Sequence, residues 1–450
     1  MENNITTLSL EQEISFNKYV EGHNIFITGP GGSGKSALIR KIYNDAVNKK
    51  VGIQVCALTG CAAVLLNCKA KTLHSWAGIG LGNGTIAQIV DKIKRNKYAK
   101  AAWRQTTVLV VDEISMLSLK LFQLLNEIGK AVRNNSRPFG GIQLIFSGDF
   151  YQLPPVGNSD DPDTQRFCFE CEDWNNIFRP QCQIELVKIF RQTDEVYCGV
   201  LNQIREGKIK RSVNELLLKY VNRPYNPSLV GEPTKLFPTR SKVEQINYSK
   251  MSALLGDSKD YEIKYLKDLE LLSKTDKEVR RSFTEKDIQM ELDFLALNLI
   301  CDKVVSFKIG AQVMCIINVQ AENGDGLEVC NGSQGIVVGF CETFGFPRVK
   351  YNNGKEMVMS RHVWASDKIP GIGVSQIPLI LAWALTIHKS QGATMDAAEI
   401  DVGSGIFECG QTYVALSRVK SLEGLYLTSF DASRIKINRK VKEYYESLIM

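Results

Sequence analysis

Short runs of consecutive apolar residues alternate with amphipathic stretches along the first third of this 450-residue chain. Residues 24–28, 52–58, 108–111 and 143–146 lack the every-other-residue polarity of a half-solvated strand, and each reads as a strand buried on both faces of a parallel sheet. Between them, residues 37–43 carry apolar positions at helical spacing, and residues 91–104 form a charged amphipathic piece. Upstream, Ser9 and Gln12 stand at the two reciprocal positions of a capped helix start. The same alternation returns later: residues 185–192 precede a helix over 193–207, residues 234–240 form a strand followed by a helix, and residues 379–384 form another buried strand. A helix over 413–418 and a strand over 424–428 close the pattern, which predicts a second open parallel sheet covered by helices. Between 247 and 376 the texture becomes charged and mostly helical over 259–291, then turns to short strands. Asn353-Gly354 marks a hairpin there. The fold class expected is α/β with two parallel-sheet domains. The first covers 1–180 with a small insertion at about 75–105, and the second covers 181–255 and 375–450. Residues 256–374 are an inserted domain holding a helical part and a small antiparallel β-barrel. Residues 436–450 read as a docking helix.

Composition narrows the class without deciding it. Hydrophobic residues make up 44% and charged residues 23%, as in ordinary globular proteins, and a net charge of +6 permits a polyanionic partner without requiring one. No apolar run approaches a membrane span, and the N-terminus has neither a secretory nor an organellar pattern, so an intracellular protein with no membrane partner is expected. Of twelve cysteines only Cys168 and Cys171 have a CxxC spacing, with Cys182 nearby. Without a second pair, and with four histidines in the chain, packing is expected there rather than a metal.

The chemistry concentrates in Gly29-Pro30-Gly31-Gly32-Ser33-Gly34-Lys35-Ser36, a glycine-rich turn between a strand and a helix. Glycines let backbone N–H groups curl around a phosphate, and the helix start adds its positive dipole end. Lys35 would reach the outer phosphates and the Ser36 hydroxyl would ligate Mg²⁺. The strand 108–111 delivers Asp112 and Glu113, the first suited to hold Mg²⁺ and the second to polarise water. Gln152 follows the strand 143–146 at the place of a γ-phosphate sensor, beside the stiff Pro154-Pro155 turn. Gln12 is open to two roles, helix cap or adenine contact. Residues 71–84, with His74, Trp76 and several glycines, read as a flexible surface element in which the aromatic groups either meet a polymer or anchor a loop.

These blocks resemble the petite-integration-frequency helicases, a RecD-like branch of helicase superfamily 1, over nearly the whole chain. The loop 29–36 is similar to the family's first motif, and residues 59–63, 111–116 and 148–156 to the next three. The block 186–192 with 201–207 resembles the family's own signature, and 385–392 and 413–418 its last motifs. The resemblance implies two RecA-like domains, a wedge in the first and an SH3-like barrel in the second. It implies ATP-dependent movement 5′ to 3′ on single-stranded DNA, with ATP and Mg²⁺ as cofactors. The partners implied are single-stranded DNA and single-strand/duplex junctions, and the free protein is expected to be a monomer. Carried over by position, Gln12 reads adenine and Gly29, Pro30, Gly31, Gly32, Ser33, Gly34, Lys35, Ser36 and Gly392 hold nucleotide. Asp112, Glu113 and Gln152 serve metal and water, and Arg191 and Arg418 reach the γ-phosphate from the second domain. Thr59, Gly60, His74, Pro154, Pro155, Thr239, His388, Lys389 and Ser390 fall where the family touches DNA. The chain lacks the family's long N-terminal extension and reads as a minimal core. Two rivals stand beside duplex unwinding: a DNA-stimulated ATPase that remodels protein–DNA complexes, and a small-molecule kinase or switch, which the second sheet and paired arginines disfavour.

Overall fold

The computed structural model describes residues 8–448 except 60–61, 64–65, 67, 81–83, 193, 227–231, 268–276, 278–279, 300, 318, 321–326, 330–331 and 367–368. The chain forms two compact units. The first gathers residues up to 214 with 406–417 and the segment from 432 onward; the second holds 215–405 and 418–431.

The first unit is built on six parallel strands: β1 (Ile25–Thr28), β2 (Ile53–Ala57), β3 (Lys71–Thr72), β4 (Val108–Asp112), β5 (Gln143–Ser147) and β6 (Gln183–Glu185), ordered β3-β2-β4-β5-β1-β6. Because side chains alternate across a strand, each apolar run feeds two cores at once. Ile25, Ile27, Val55, Val108 and Val110 pack under helices α1 (Leu10–Val20) and α2 (Lys35–Asn48), against Tyr19, Leu38, Ile39 and Ile42. Phe26, Leu109, Val111, Leu144 and Phe146 face the other way, toward Phe122, Leu125 and Ile128 of the helix Leu119–Arg133 and Tyr445 of the C-terminal helix Arg439–Leu448. Each such large side chain contributes about 1.5–3 kcal/mol on leaving water. That two-sided burial holds the strand ends, where the candidate site lies.

Three expectations for this unit change. The described start of the segment 71–84 is not a surface element: the helix Leu73–Ala77 buries Leu73, Trp76 and Ala77, and Trp76 lies 4.4 Å from the Trp103 ring, while 81–83 lie outside the described residues. Its glycines misled because Gly78, at φ +70°, ends that helix, a local task that says nothing about exposure. The amphipathic piece is two helices, Ile86–Arg95 and Lys97–Gln105, parted at Asn96, whose Oδ1 accepts from the N–H groups of Tyr98 and Ala99. Ile89, Ile93 and Trp103 pack into the same core as the helix Leu119–Arg133, so this insertion shares the first unit's interior. Finally, β6 pairs with β1, and the helix Glu195–Arg205 stays in the first unit, so a boundary at 180 cuts through this unit.

The second unit holds a parallel sheet of β7 (Thr234–Phe237) with Ala384–Thr386 on one side and Ala398–Val402 then Leu425–Phe430 on the other. An antiparallel sheet of five strands, Glu356–Val358, Pro347–Tyr351, Gln334–Phe340, Gln312–Cys315 and Leu379–Leu381, belongs to the same unit. The hairpin at Asn353-Gly354 forms as expected, with Gly354 at φ +82°. The single strand expected over 379–384 is instead shared between the sheets. The chain crosses at Ala382, whose N–H donates to the Gln312 carbonyl (2.9 Å) and whose carbonyl accepts from Thr234 Oγ1 (2.6 Å). The stretch expected to be helical from 259 opens with two strands, Lys259–Glu262 and Lys264–Leu266, and its described helix is Glu285–Asn298, capped by Thr284. Lys259–Glu262 earns strand pairing despite its charges because one residue, Tyr261, is buried while its neighbours face solvent.

Among the described residues no helix is long and apolar enough to cross a membrane, and no group of three or more His, Cys, Asp or Glu side chains could hold a metal ion. Cys168 is fully buried and Cys182 packs on the opposite face of the sheet; burial pushes both thiols up.

Candidate active site

The turn after β1 is forced into a shape that only glycine tolerates. Gly29, Gly32 and Gly34 have φ of +133°, +86° and +85°. A Cβ on Gly29 would stand 2.3 Å from the Leu186 carbonyl oxygen, one on Gly32 2.5 Å from Arg191 Cβ, and one on Gly34 2.5 Å from Gln12 Nε2. The segment after β6 grips the turn from outside: the Leu186 N–H donates to the Thr28 carbonyl at 2.9 Å and the Phe190 N–H to the Gly32 carbonyl at 2.8 Å. Gly34 caps α2 without a side chain, and no acid lies in that helix's first turn, so its dipole end stays positive. Lys35 Nζ donates to the carbonyls of Gly29 (2.6 Å) and Pro30 (2.9 Å). Burial draws the ammonium below its ordinary value, while Asp149, Glu113 and Asp112 work to keep it charged.

Both roles considered for Gln12 bear on this turn. It is buried and completes the capping box of α1, its Oε1 accepting from the Ser9 N–H at 2.9 Å; its Nε2 donates to the Gly34 carbonyl at 3.2 Å. One amide hydrogen and one lone pair remain beyond those bonds.

Asp112 ends β4, two strands from β1 in the sheet order. Burial first, and the neighbouring Glu113 second, raise its carboxyl to about 6. Glu113 has φ +56° and ψ +40°, a left-handed conformation costing a non-glycine residue about 1–2 kcal/mol. Such strain is held in place by surroundings, here the buried Ile114 and Ser115 that follow. Gln152 is buried, and its Oε1 has no hydrogen-bond partner among the described residues.

The structure moves Arg191 from the expected second domain into the first unit, directly against the turn. Its Nη1 reaches the Ser417 carbonyl at 3.4 Å, and Gln192 Nε2 reaches the same oxygen at 3.3 Å. Ser417 ends the helix Gln411–Leu416, and Tyr413 of that helix accepts the Gly31 N–H on its hydroxyl at 2.7 Å. Tyr413 thus touches the turn itself, a role its place in a sequence block did not disclose. Arg418 lies in the second unit, buried, with Nη1 on the Ala393 carbonyl at 3.3 Å.

A buried ionic cluster underlies the strand ends. Arg205 forks onto Asp149 (Nε–Oδ2 2.9 Å, Nη2–Oδ1 3.0 Å) and reaches Glu185 at 3.2 Å. Asp149, Glu185 and Arg205 stand inside blocks noted in the sequence but carried no assigned role there, although a signal existed. Tyr197, Val200, Leu201 and Ile204 mark one buried helix face, and an arginine adjoining it needs a buried acid.

Of the residues expected at DNA, Thr59, His74, Pro154 and Pro155 lie in the first unit. Thr59 Oγ1 accepts from the Ala62 N–H at 3.3 Å, His74 is partly buried with its imidazole held below its ordinary value by burial, and Gly60 lies outside the described residues. In the second unit Thr239 and Lys389 are exposed, and His388 is partly buried. Ser390 is fully buried, and its hydroxyl donates to the Ile387 carbonyl at 2.8 Å, fixing the turn that Gly392 (φ +82°) completes.

A strand, a glycine turn on a helix start, a half-buried lysine and an acid pair two strands away define a phosphate-loop nucleotide-binding site. A family model described as PIF1-like helicase matches residues 7–215. Over 99% of its length the chain is 35% identical to the ATP-dependent DNA helicase PIF1 of Emericella nidulans, of which it covers 64%. It is 33% identical to the ATP-dependent DNA helicase RRM3 of Saccharomyces cerevisiae, covering 98% of this chain and 68% of that one. The crystal structure of Pif1 helicase from Candida albicans superposes with a TM-score of 0.76 at 36% identity, over 98% of this chain and 99% of that one. The chain belongs to the PIF1-like helicase family. It spans about two thirds of the length of these curated relatives.

Proposed function

We propose that this chain is an ATP-dependent DNA helicase that moves 5′ to 3′ on single-stranded DNA and opens single-strand/duplex junctions. The observation that carries the proposal is the pairing of the turn 29–36 with the acids of β4, each fixed by its own strand end. The glycine turn, the acid-free start of α2 and Lys35 suit a triphosphate. Ser36 and Asp112 are hard oxygen donors, and a carboxyl held at about 6 by burial and a like-charged neighbour gains from a divalent cation, so the residues fit Mg²⁺. The metal would supply charge neutralisation on the phosphates. Glu113 acts on the attacking water and Gln152, with its spare Oε1, orients that water. Arg191, lying against Gly32, supplies positive charge beside the outer phosphates, and Arg418 is assigned the corresponding role from the other unit. Gln12 takes the adenine edge with its remaining amide hydrogen and lone pair. DNA is assigned to Thr59, Gly60, His74, Pro154 and Pro155 on the first unit and Thr239, His388 and Lys389 on the second, with grip through phosphates and hence salt-sensitive. The free protein is a monomer working inside the cell.

ATP hydrolysis measured with and without single-stranded DNA, followed by strand displacement on 5′-tailed and 3′-tailed duplexes, tests this. Stimulation by DNA and displacement from the 5′ tail are expected, and Lys389→Ala weakens the stimulation while sparing the basal rate. No stimulation overturns the proposal, and displacement from the 3′ tail alone reverses the polarity.

A further inference from the structure

The C-terminal helix Arg439–Leu448 lies far outside the matched segment 7–215, yet it places a tyrosine hydroxyl under the active site. Tyr445 is buried, and its hydroxyl bonds Thr28 Oγ1, accepts the Phe150 N–H at 3.2 Å, and lies 3.2 Å from Asp149 Oδ1. Its ring stacks on Tyr151 at 4.6 Å and 17°, and the Arg205 guanidinium sits 4.7 Å from the Tyr151 centroid and 5.1 Å from that of Tyr445. The partners are informative by their neighbours. Thr28 directly precedes Gly29 and the phosphate turn, while Asp149, Phe150 and Tyr151 directly precede Gln152. One oxygen atom therefore ties the end of β1 to the start of the segment carrying the γ-side residue.

We propose that Tyr445 is a positioning residue: with Arg205 and Asp149 it sets Gln152 in register with the phosphate turn, making the C-terminal helix part of the hydrolytic machinery. The proposal deepens the ATPase reading and rests on it. A group that fixes the spacing of two rigid parts acts on the chemical step, where a small misplacement is expensive. It bears far less on the binding of ADP, whose phosphates the proposed function assigns to the turn and whose base it assigns to Gln12.

The helix supplies its own control. Tyr444 is half-buried, and its hydroxyl accepts from Trp174 Nε1 (3.1 Å) and donates to Gln183 Oε1 (2.6 Å), away from Thr28 and Asp149. Four variants are purified: Tyr445→Phe, Tyr444→Phe, Arg205→Lys and the double Tyr445→Phe/Arg205→Lys. Each is measured for ATP turnover with single-stranded DNA, for ADP affinity with Mg²⁺ by calorimetry, and for melting temperature. For Tyr445→Phe, kcat is expected to fall about tenfold, a 1.36 kcal/mol change in barrier, with ADP affinity within about twofold of the parent. Tyr444→Phe is expected to lower the melting temperature comparably while keeping kcat. In the pair Tyr445→Phe/Arg205→Lys the losses in kcat should fall short of their product, because both act through Asp149. The inference is overturned if Tyr445→Phe turns over like the parent, if ADP affinity falls in step with kcat, or if Tyr444→Phe loses kcat equally. A parent that binds no ADP and hydrolyses no ATP defeats the proposed function instead, which separates the two failures.

Discussion

Replacing Arg205 by methionine removes a buried cation and strands its partner. Asp149 is fully buried and Arg205 only 7% exposed, so neither charge can be rehydrated without opening the core; Glu185, at 29% exposure, can turn to water. Removing one member of such a pair costs about 3–5 kcal/mol, because the survivor is left as an uncompensated charge. Methionine keeps most of the side-chain volume against Tyr151 and Tyr445, so little of that cost is cavity. Set against a typical total of roughly 5–15 kcal/mol, this is a large fraction of the unit's stability. For a unit of this size each kcal/mol moves the midpoint by about 2–4 °C, so the first thermal transition should drop by roughly 6–20 °C. Circular dichroism melts at neutral pH measure it. The double variant Asp149→Asn/Arg205→Met should recover part of the loss, since no charge is then stranded. If the single variant melts within about 2 °C of the parent, or the double variant is no better than the single, the claim that this pair is a buried, mutually dependent charge couple is refuted.

Two further outcomes follow from the strand ends. Glu113→Gln should reduce ATP turnover by at least about a hundredfold in a steady-state assay while retaining nucleotide binding, and near-parental turnover would remove its role at the water. Asp112 offers a pH signature for the protein kept in chelator. Its carboxyl sits at about 6 in the fold, above the ordinary 3.8, so between those values the folded state holds a proton that the unfolded chain has lost. Stability therefore falls as pH rises through that window, and the cost is fully present above about 6. Asp112→Asn should raise the melting temperature more at about pH 8 than at about pH 5, and an equal or reversed gain would contradict the burial argument.

Much of the site was legible in sequence because its requirements are local. A phosphate turn must be glycine-rich, must follow a strand and must start a helix, and all three conditions are written within residues 24–43. The acids 112–113, the Ser9–Gln12 cap and the Asn353-Gly354 hairpin are local in the same sense, and each took the expected form. Local signals also misled where a residue had a nearby task unrelated to burial. Gly78 ends a helix and suggested exposure for Trp76, which is in fact buried.

What the chain alone determined is the two-sheet α/β plan, the phosphate turn and the identity of the acids beside it, since apolar period and glycine placement dictate these within a few turns of backbone. The tertiary structure decided which distant residues share one buried space: β6 and Arg191 belong with the turn, Tyr413 meets Gly31, and Arg205, Asp149 and Tyr445 converge beneath it. The reason is physical. A buried charge or hydroxyl needs a partner, but hydrogen bonding sets only its kind and distance; its place in the sequence, as far away as Tyr445 is from Thr28, is chosen by how helices close over the two faces of the sheet.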